Sequence, residues 1–315
     1  MTTQTPKITY LKSMHGIGDQ LYQLSFVDLL HKQNPQDEIY IQTVLPQLYI
    51  DLLPHVPLKF VQPPETYRTQ KKALDQYVKD TGLLFEMPPV KYNQLLEPFY
   101  SGEDLLNTSI PFTMAKKFKL DDKVQDLKWG YDFKFGFDKV EQLIGKIPKK
   151  IAIVRPSTIR KEWVVLTRSP KPNYISWCAK VLQEAGYFVI SIADLKPNEE
   201  WLENNETPPA DLYLHSGELG IIDTLKLIAS ADICVGGSGF IIPAAVQMGT
   251  PLFTIFGGRM AYDSPYKVFH PSMDMSKIGW AMPDKPCRCT HIKHDCDKTI
   301  TKLDSDFYNF LSKIQ

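Results

Sequence analysis

Residues 231–258, ADICVGGSGFIIPAAVQMGTPLFTIFGG, read as strand, glycine loop, helix, turn and strand. The β-branched run at 233–235 suits a buried strand. Gly236, Gly237 and Gly239 surround Ser238 in a loop where glycine permits positive φ and close backbone approach. Residues 241–248 are apolar, with Ala244 and Ala245 among them, as in a short buried helix. Pro243 is tolerated in the first turn, where its missing N–H has no intrahelical partner. Gly249 ends the helix, Pro251 follows, and residues 252–256 form the next strand before Gly257 and Gly258. A glycine loop between a strand and a helix start aims backbone N–H groups and the positive end of a helix dipole at one point, which favours an anion such as phosphate. The same glycines also suit a tight turn that only packs, and the stretch alone leaves both readings open.

The alternation extends in both directions. Residues 8–11 are a strand, followed by His15-Gly16-Ile17-Gly18-Asp19 and a helix pattern carrying Leu21, Leu24, Phe26, Val27, Leu29 and Leu30. Strands at 38–44 and 58–61 flank a short helix at 48–53, a βαβαβ run that implies a parallel sheet. Residues 63–145 are less regular, with one helix expected over 72–81. The segment 144–150, IGKIPKK, has the composition of a linker. The pattern then restarts with a strand at 151–154 and a polar loop over 155–171 carrying Arg155, Arg160, Lys161, Arg168 and Lys171. A helix at 174–185, a strand at 187–192, a polar stretch at 198–206 that starts helical, a strand at 211–214 and a helix at 220–229 lead back to the opening stretch. The expected domains are 1–147, 148–300 and a closing helix within 301–315, which packs back toward the first domain. Two α/β domains, each starting with a loop able to bind something, suggest a ligand between them, outside the carboxyl ends of the strands.

A chain of 315 residues with zero formal net charge gives no global electrostatic case for nucleic acid or an anionic membrane. The first residues lack an apolar signal core and no run is long enough to cross a bilayer, so the cytosol of a bacterial or phage-infected cell is expected. Cys178 and Cys234 fall in helix and strand patterns as small buried hydrophobes. The tail CRCTHIKHDC brings Cys287, Cys289, His291, His294 and Cys296 together, which are zinc ligand types in a spacing unlike a standard zinc knuckle. A structural zinc on Cys287, Cys289, His294 and Cys296, a disulfide and a reduced loop all stay open.

Four segments carry a family resemblance: GIGDQLYQLSFVDLLHKQNP at 16–35, RPSTIRKEW at 155–163, LHSGELGIIDTLKLIASADICVGGSGFIIPAA at 214–245, and the cysteine cluster of the tail. In order and spacing the chain resembles the glycosyltransferases of family nine, the ADP-heptose:lipopolysaccharide heptosyltransferase-like group. The resemblance implies an α/β chain of GT-B architecture, two Rossmann-like domains with parallel sheets facing across a cleft. It implies a metal-independent, inverting transfer from a nucleotide-diphosphate-sugar, a co-substrate rather than a cofactor, to an acceptor hydroxyl. Where the family has an acidic residue before the serine and a histidine after the glycine, this chain has Gly237 and Ile242, which points to a nucleotide-linked donor rather than to heptose in particular.

Asp19 can take the acceptor's proton, a role the resemblance also implies, or can cap the helix it precedes. His15 and Gly18 are candidates for the acceptor. No DxD-type metal motif is evident, so the leaving diphosphate would be met by Lys161, which lies where the family contacts phosphate, with Arg155, Arg160, Gly237, Ser238 and Gly239. A solvated basic loop is the alternative for the cations. Glu218 can accept from both ribose hydroxyls or serve as a helix-start acid, and Asp232 reads as structural. The acceptor is a saccharide such as a lipopolysaccharide core, or a hydroxymethylated DNA base as with phage GT-B enzymes. In the second case Tyr67, Arg68, Lys71, Lys72 and the run Lys116, Lys117, Phe118, Lys119 would hold the backbone and stack a flipped base. A non-catalytic scaffold that binds a sugar nucleotide or a partner is the third reading.

Overall fold

The first strand and helix show how the local pattern becomes a layer. In the computed structural model β1 (Ile8–Lys12) runs into α1 (Ile17–Gln33), which is buried on every side from Gln20 to Leu29. Such a helix sits at the centre of its layer, so even its polar side chains must find partners. Thr43 donates to Gln20 Oε1 at 2.6 Å, and Ser13 donates to Gln23 Oε1 at 2.8 Å while lying 3.3 Å from Tyr49 Oη. These contacts fix the loop between β1 and α1. The structure describes residues 6–64, 70–131, 139–147, 149–162, 164–287, 289 and 294–314. Tyr67, Arg68, Trp163 and His291, and the side chain of Lys72, lie outside them.

The chain divides into two units, Met1–Ser101 with Pro111–Lys128, and Gly102–Ile110 with Trp129–Gln315. The first contains β2 (Glu38–Gln42), α2 (Pro46–Leu52), β3 (Leu58–Val61), α3 (Gln70–Thr81) and β4 (Gln94–Leu96). Its sheet is parallel throughout, in the order β3-β2-β1-β4. Strand β4 lies in the stretch that reads as irregular from composition. Of the segments between them, α4 (Gly102–Leu106) belongs to the second unit, and α5 (Ile110–Lys117) leads back into the first.

The second unit takes in α6 (Lys139–Ile144), β5 (Ile151–Arg155), β6 (Thr158–Arg160), α7 (Pro172–Glu184), β7 (Phe188–Ile192), β8 (Glu200–Leu202), β9 (Leu212–Leu214) and α8 (Ile221–Ala229). It continues through β10 (Ile233–Gly237), α9 (Ile241–Met248), β11 (Leu252–Ile255), α10 (Pro265–Val268), β12 (Ile278–Ala281) and α11 (Leu303–Ile314). Six of its strands form one parallel sheet in the order β12-β11-β10-β5-β7-β9. This is the doubly wound order, in which the chain reverses direction across the sheet between β5 and β10.

Three segments add to or depart from the sequence reading. Residues 129–147 lie with the second unit, ahead of the linker read at 144–150, because the Tyr131 N–H donates to the Gln247 carbonyl at 2.6 Å and α6 packs on α8. The polar stretch 198–206 starts as a strand, not a helix. Asn198 takes a left-handed φ of 62°, and β8 then pairs antiparallel with β6, which lies inside the loop expected after β5. The closing helix α11 is built into the core of the second unit. Phe307 is fully buried 4.9 Å from the ring of Phe253, and Phe310 lies so close to Gly279 that a Cβ there would stand 2.5 Å away. Burying one such phenylalanine contributes roughly 2–3 kcal/mol.

Segment 102–110 is held by Lys267, whose ammonium donates to the carbonyls of Leu105 at 2.5 Å, Leu106 at 2.9 Å and Thr108 at 3.1 Å. Burial lowers the pKa of that ammonium. Lys267→Met leaves these carbonyls without their donor, and a loss of about 1.5–3 kcal/mol is expected by chemical denaturation. Amide exchange should rise first in 102–110. Unchanged protection there would show that other contacts hold the segment.

Candidate functional site

In both sheets some of the candidate residues stand where the strand order reverses. In the first unit the order reverses between β1 and β4, and the chain segments leaving these strands carry His15 and Phe99-Tyr100. Tyr100 Oη donates to Asp19 Oδ1 at 2.5 Å, and the rings of His15 and Phe99 meet edge to face at 5.5 Å. The His15 carbonyl accepts from the Gln70 side chain at 3.0 Å. Asp19 is not the N-cap of α1. Gly16 is, and Asp19 is the third helical residue, with its side chain turned back over the first turn. A Cβ at Gly16 would collide with Asp19 Oδ2, so glycine is needed there for room and not for a positive φ, its φ being −72°. Gly18 is the second residue of α1 and half-buried. Tyr100 and Phe99 carry no local signal in the sequence; only the pairing of β4 with β1 brings them to Asp19.

In the second unit the reversal lies between β5 and β10, whose ends are register partners at Arg155 and Gly236. The Arg155 guanidinium lies 5.8 Å from the centre of the Phe240 ring, at the start of α9. Its side chain is 23% exposed and sits 3.4 Å from Glu200 Oε1, while Arg160 reaches Glu200 Oε2 at 3.0 Å. Thr158 donates to the same carboxylate at 2.7 Å. Burial pulls the pKa of Arg155 down and Glu200 opposes it, yet a guanidinium remains charged. Glu200, 4% exposed, orients both arginines and was hidden in a stretch that reads as polar surface.

The glycines of the loop serve close approach and not positive φ. A Cβ at Gly236 would meet Ile241 at 2.9 Å, one at Gly237 would meet Pro170 at 2.8 Å, and one at Gly239 would meet nothing within 4 Å. The positive-φ glycine of the stretch is Gly249, the C-cap of α9, at φ 67°. Ser238 Oγ donates to Asp263 Oδ1 at 3.2 Å, and Arg259 clasps Asp263 Oδ2 through Nε at 2.8 Å and Nη2 at 2.6 Å. Arg168 Nε approaches Asp263 at 3.4 Å. With its proton directed to Asp263, Ser238 does not offer it to an anion; the Ile242 N–H already donates to the Gly239 carbonyl at 3.2 Å and Pro243 has none, which leaves the Ile241 N–H as the first-turn donor of α9. Sequence reading missed Arg259 and Asp263, whose i,i+4 spacing just beyond Gly258 is the one available cue.

Lys161 stands elsewhere on this unit. With Asn198 and Trp201 it lines an open depression of about 530 Å³ beside the β6–β8 pair. Glu218 is exposed and lies before α8, whose N-cap is Gly220; its carboxylate accepts from the Ser216 N–H at 2.8 Å. Glu218 follows β9, three strands from β10, roughly 14 Å across the sheet. Next to it His215 lies 2.8 Å from Ser191 Oγ, and burial lowers its pKa. Asp232 accepts from the Ile151 N–H at 2.8 Å, a structural role. Phe118, offered as a base-stacking side chain, is fully buried and stacked on Phe26 at 5.0 Å.

The tail forms a cluster. The ligand atoms of Cys287, Cys289, His294 and Cys296 all lie within 4.8 Å of one another. Cys289 and Cys296 sulfurs are 3.3 Å apart, His294 Nδ1 is 3.2 Å from Cys296 and 3.5 Å from Cys287, and none of the cysteines is in a disulfide. Among the described residues no helix is long and apolar enough to cross a membrane.

No family model and no curated protein sequence matches the chain. Solved structures do. The iron-containing dodecameric glycosyltransferase TibC of enterotoxigenic E. coli is matched over 100% of this chain and 77% of its own, with a TM-score of 0.65 and 12% identity. E. coli ADP-heptose LPS heptosyltransferase II is matched over 98% of this chain and 100% of its own, with a TM-score of 0.53 and 14% identity. A family 9 glycosyltransferase of Veillonella parvula is matched over 90% of both chains, with a TM-score of 0.54 and 11% identity. The two doubly wound units of this chain thus have the fold of the heptosyltransferases and of family 9, the GT-B fold.

Proposed function

We propose that this chain moves a sugar from a nucleotide-diphosphate-sugar to an acceptor hydroxyl, with the second unit holding the donor and Asp19 acting as general base. One observation carries the reading: Asp19 in the first sheet and Arg155 with the glycine loop in the second stand at the point where strand order reverses, where ligands of such sheets bind. Asp19 takes the proton of the acceptor hydroxyl as its oxygen attacks the anomeric carbon. The nucleoside diphosphate leaves from the opposite face, so the configuration inverts. The N-terminus of α9 and Arg155 meet the charge that develops on the leaving group, with Arg160 beside them. Gly237 and Gly239 keep the backbone open to the diphosphate, and Ser238 fixes the loop through Asp263. Glu218, across the sheet from the diphosphate, takes the ribose hydroxyls. His15 and Gly18 border the acceptor, and Lys161 with Trp201 offers a cationic and aromatic surface to a sugar.

The cysteine cluster fits one metal ion. Tetrahedral ligands about 2.3 Å from a metal lie about 3.7 Å apart, close to the 3.2–3.5 Å contacts seen between these groups. Three thiols and an imidazole suit zinc or iron, and four protein ligands leave no open position, so the ion would serve structure. This agrees with a transfer step run by side chains and a helix terminus.

TibC has been solved with ADP-D-β-D-heptose and E. coli WaaC with ADP-2-deoxy-2-fluoro heptose, which makes ADP-sugars the first donors to test. One class among ADP-, GDP- and UDP-sugars is expected to raise the melting temperature, by an amount equivalent to about 2.7 kcal/mol at a hundred times its Kd. Arg155→Leu should abolish the shift. No shift with any class at millimolar concentration would overturn the reading, and a shift without turnover on any acceptor would favour a non-catalytic scaffold.

A further inference from the structure

Residues 257–263 stand between the cysteine cluster and the glycine loop, and they touch both. On the cluster side, Cys296 occupies the space a side chain at Gly258 would need, its sulfur 2.7 Å from the position of a Cβ. The Met260 N–H donates to the Cys287 carbonyl at 2.9 Å, and Arg259 pairs with Cys287 as a short parallel bridge. On the other side, Arg259 grips Asp263 with two nitrogens, and Asp263 accepts from Ser238 Oγ. One backbone pairing, the packing of Cys296 on Gly258 and three side-chain hydrogen bonds therefore lead from the cluster to the crevice between β5 and β10. Residues 257–263 contain no helix or strand, so their position depends on what is packed against them. No disulfide links the cysteines of the cluster, whose ligand atoms all lie within 4.8 Å of one another.

We propose that the Cys287, Cys289, His294 and Cys296 cluster, closed around a metal ion, positions the 257–263 loop and through Asp263 sets the affinity of the neighbouring crevice for a nucleoside diphosphate. The proposal rests on the donor reading above and adds a reason for the cluster's place in the chain. Gly258 lets Cys296 approach, Arg259 transmits the position of the loop, and Asp263 delivers it to Ser238. Arg259 and Asp263 are positioning residues here.

The test uses the full chain and ADP, GDP and UDP as probes, with binding measured by calorimetry and metal content by elemental analysis. The wild type should carry close to one ion per chain. Cys289→Ser should lose the ion and bind the preferred nucleotide about tenfold more weakly, and Asp263→Asn should weaken it by a similar factor while keeping the ion. The double variant should be little worse than either single one, because both act through the same loop. His294→Cys should keep both the ion and the affinity, which separates loss of the cluster from loss of the fold. Metal loss with affinity unchanged, additive effects in the double variant, or a wild type purified and reconstituted without any ion would each overturn the proposal. If no nucleoside diphosphate binds the wild type, the donor reading fails, and amide exchange of 257–263 before and after chelation decides the clamp. Protection lost on chelation supports it, and unchanged protection overturns it.

Discussion

Asp19→Asn is expected to lower turnover by about 10³-fold while leaving donor affinity within about twofold. The substitution is nearly isosteric and its carbonyl can still accept from Tyr100, so the contact that orients the side chain at 2.5 Å survives. What is lost is the capacity to take a proton. In the proposed function the donor binds the second unit, so its affinity has no reason to move. Two further variants separate proton transfer from geometry. Tyr100→Phe keeps the carboxylate but removes this hydrogen bond to it, and a loss of about tenfold is expected. Gly16→Ala puts a methyl group where Asp19 Oδ2 lies and must push the side chain to another rotamer, so it should act mainly on turnover. Single-turnover kinetics with a saturating donor would read all three. An Asp19→Asn variant that keeps more than about a tenth of the rate would remove Asp19 as the base.

The parts of the fold that could be read from sequence are those with local causes. The run at 231–258 shows strand, loop and helix because β-branched, glycine and apolar residues follow one another there, and β10, α9 and β11 lie where that order puts them. The parallel sheets were legible for the same reason. Contacts between distant segments were not. Tyr100 reaches Asp19 across 81 positions, and Lys267 binds Leu105 across 162. Glu200 sits in a polar stretch whose composition suits a helix, but pairing with Thr158 and Arg160 makes it a strand. The glycines were legible as glycines and their reasons were not. At Gly236 and Gly237 positive φ and close approach were both the local expectation; only the second holds, and the neighbours it answers to, Ile241 and Pro170, are brought near only by the folded chain. The cysteine cluster was visible as a set of ligand types, but its contact with Gly258 was not. The acceptor has no comparable local signature. Of the side chains offered for stacking a DNA base, Phe118 serves the core against Phe26, and Tyr67 lies outside the described residues.

The same distinction yields the largest expected effect on stability. Gly257 and Gly239 belong to one glycine-rich stretch and neither has a positive φ, so sequence treats them alike. A Cβ at Gly239 meets nothing within 4 Å, whereas one at Gly257 would run into the carbonyls of Arg168 and Ser169, the second at 2.5 Å. Backbone carbonyls cannot rotate away as a side chain can; the whole 167–170 turn would have to move. That turn is tied in on both sides, since the Arg259 N–H donates to the Thr167 carbonyl at 3.0 Å and Pro170 packs on Gly237. Gly257→Ala is therefore expected to cost about 3 kcal/mol or more in the second unit, and Gly239→Ala less than about 0.5 kcal/mol. Denaturant unfolding followed by tryptophan fluorescence would compare the two. Displacing the turn also shifts Arg168 and Pro170 against the glycine loop, so any Gly257→Ala protein that folds should bind nucleoside diphosphate poorly, while Gly239→Ala should report only on the backbone's own approach to the ligand. Equal stabilities for the two variants would mean that the 167–170 turn yields freely, and the close approach that organises this crevice would then have no energetic weight.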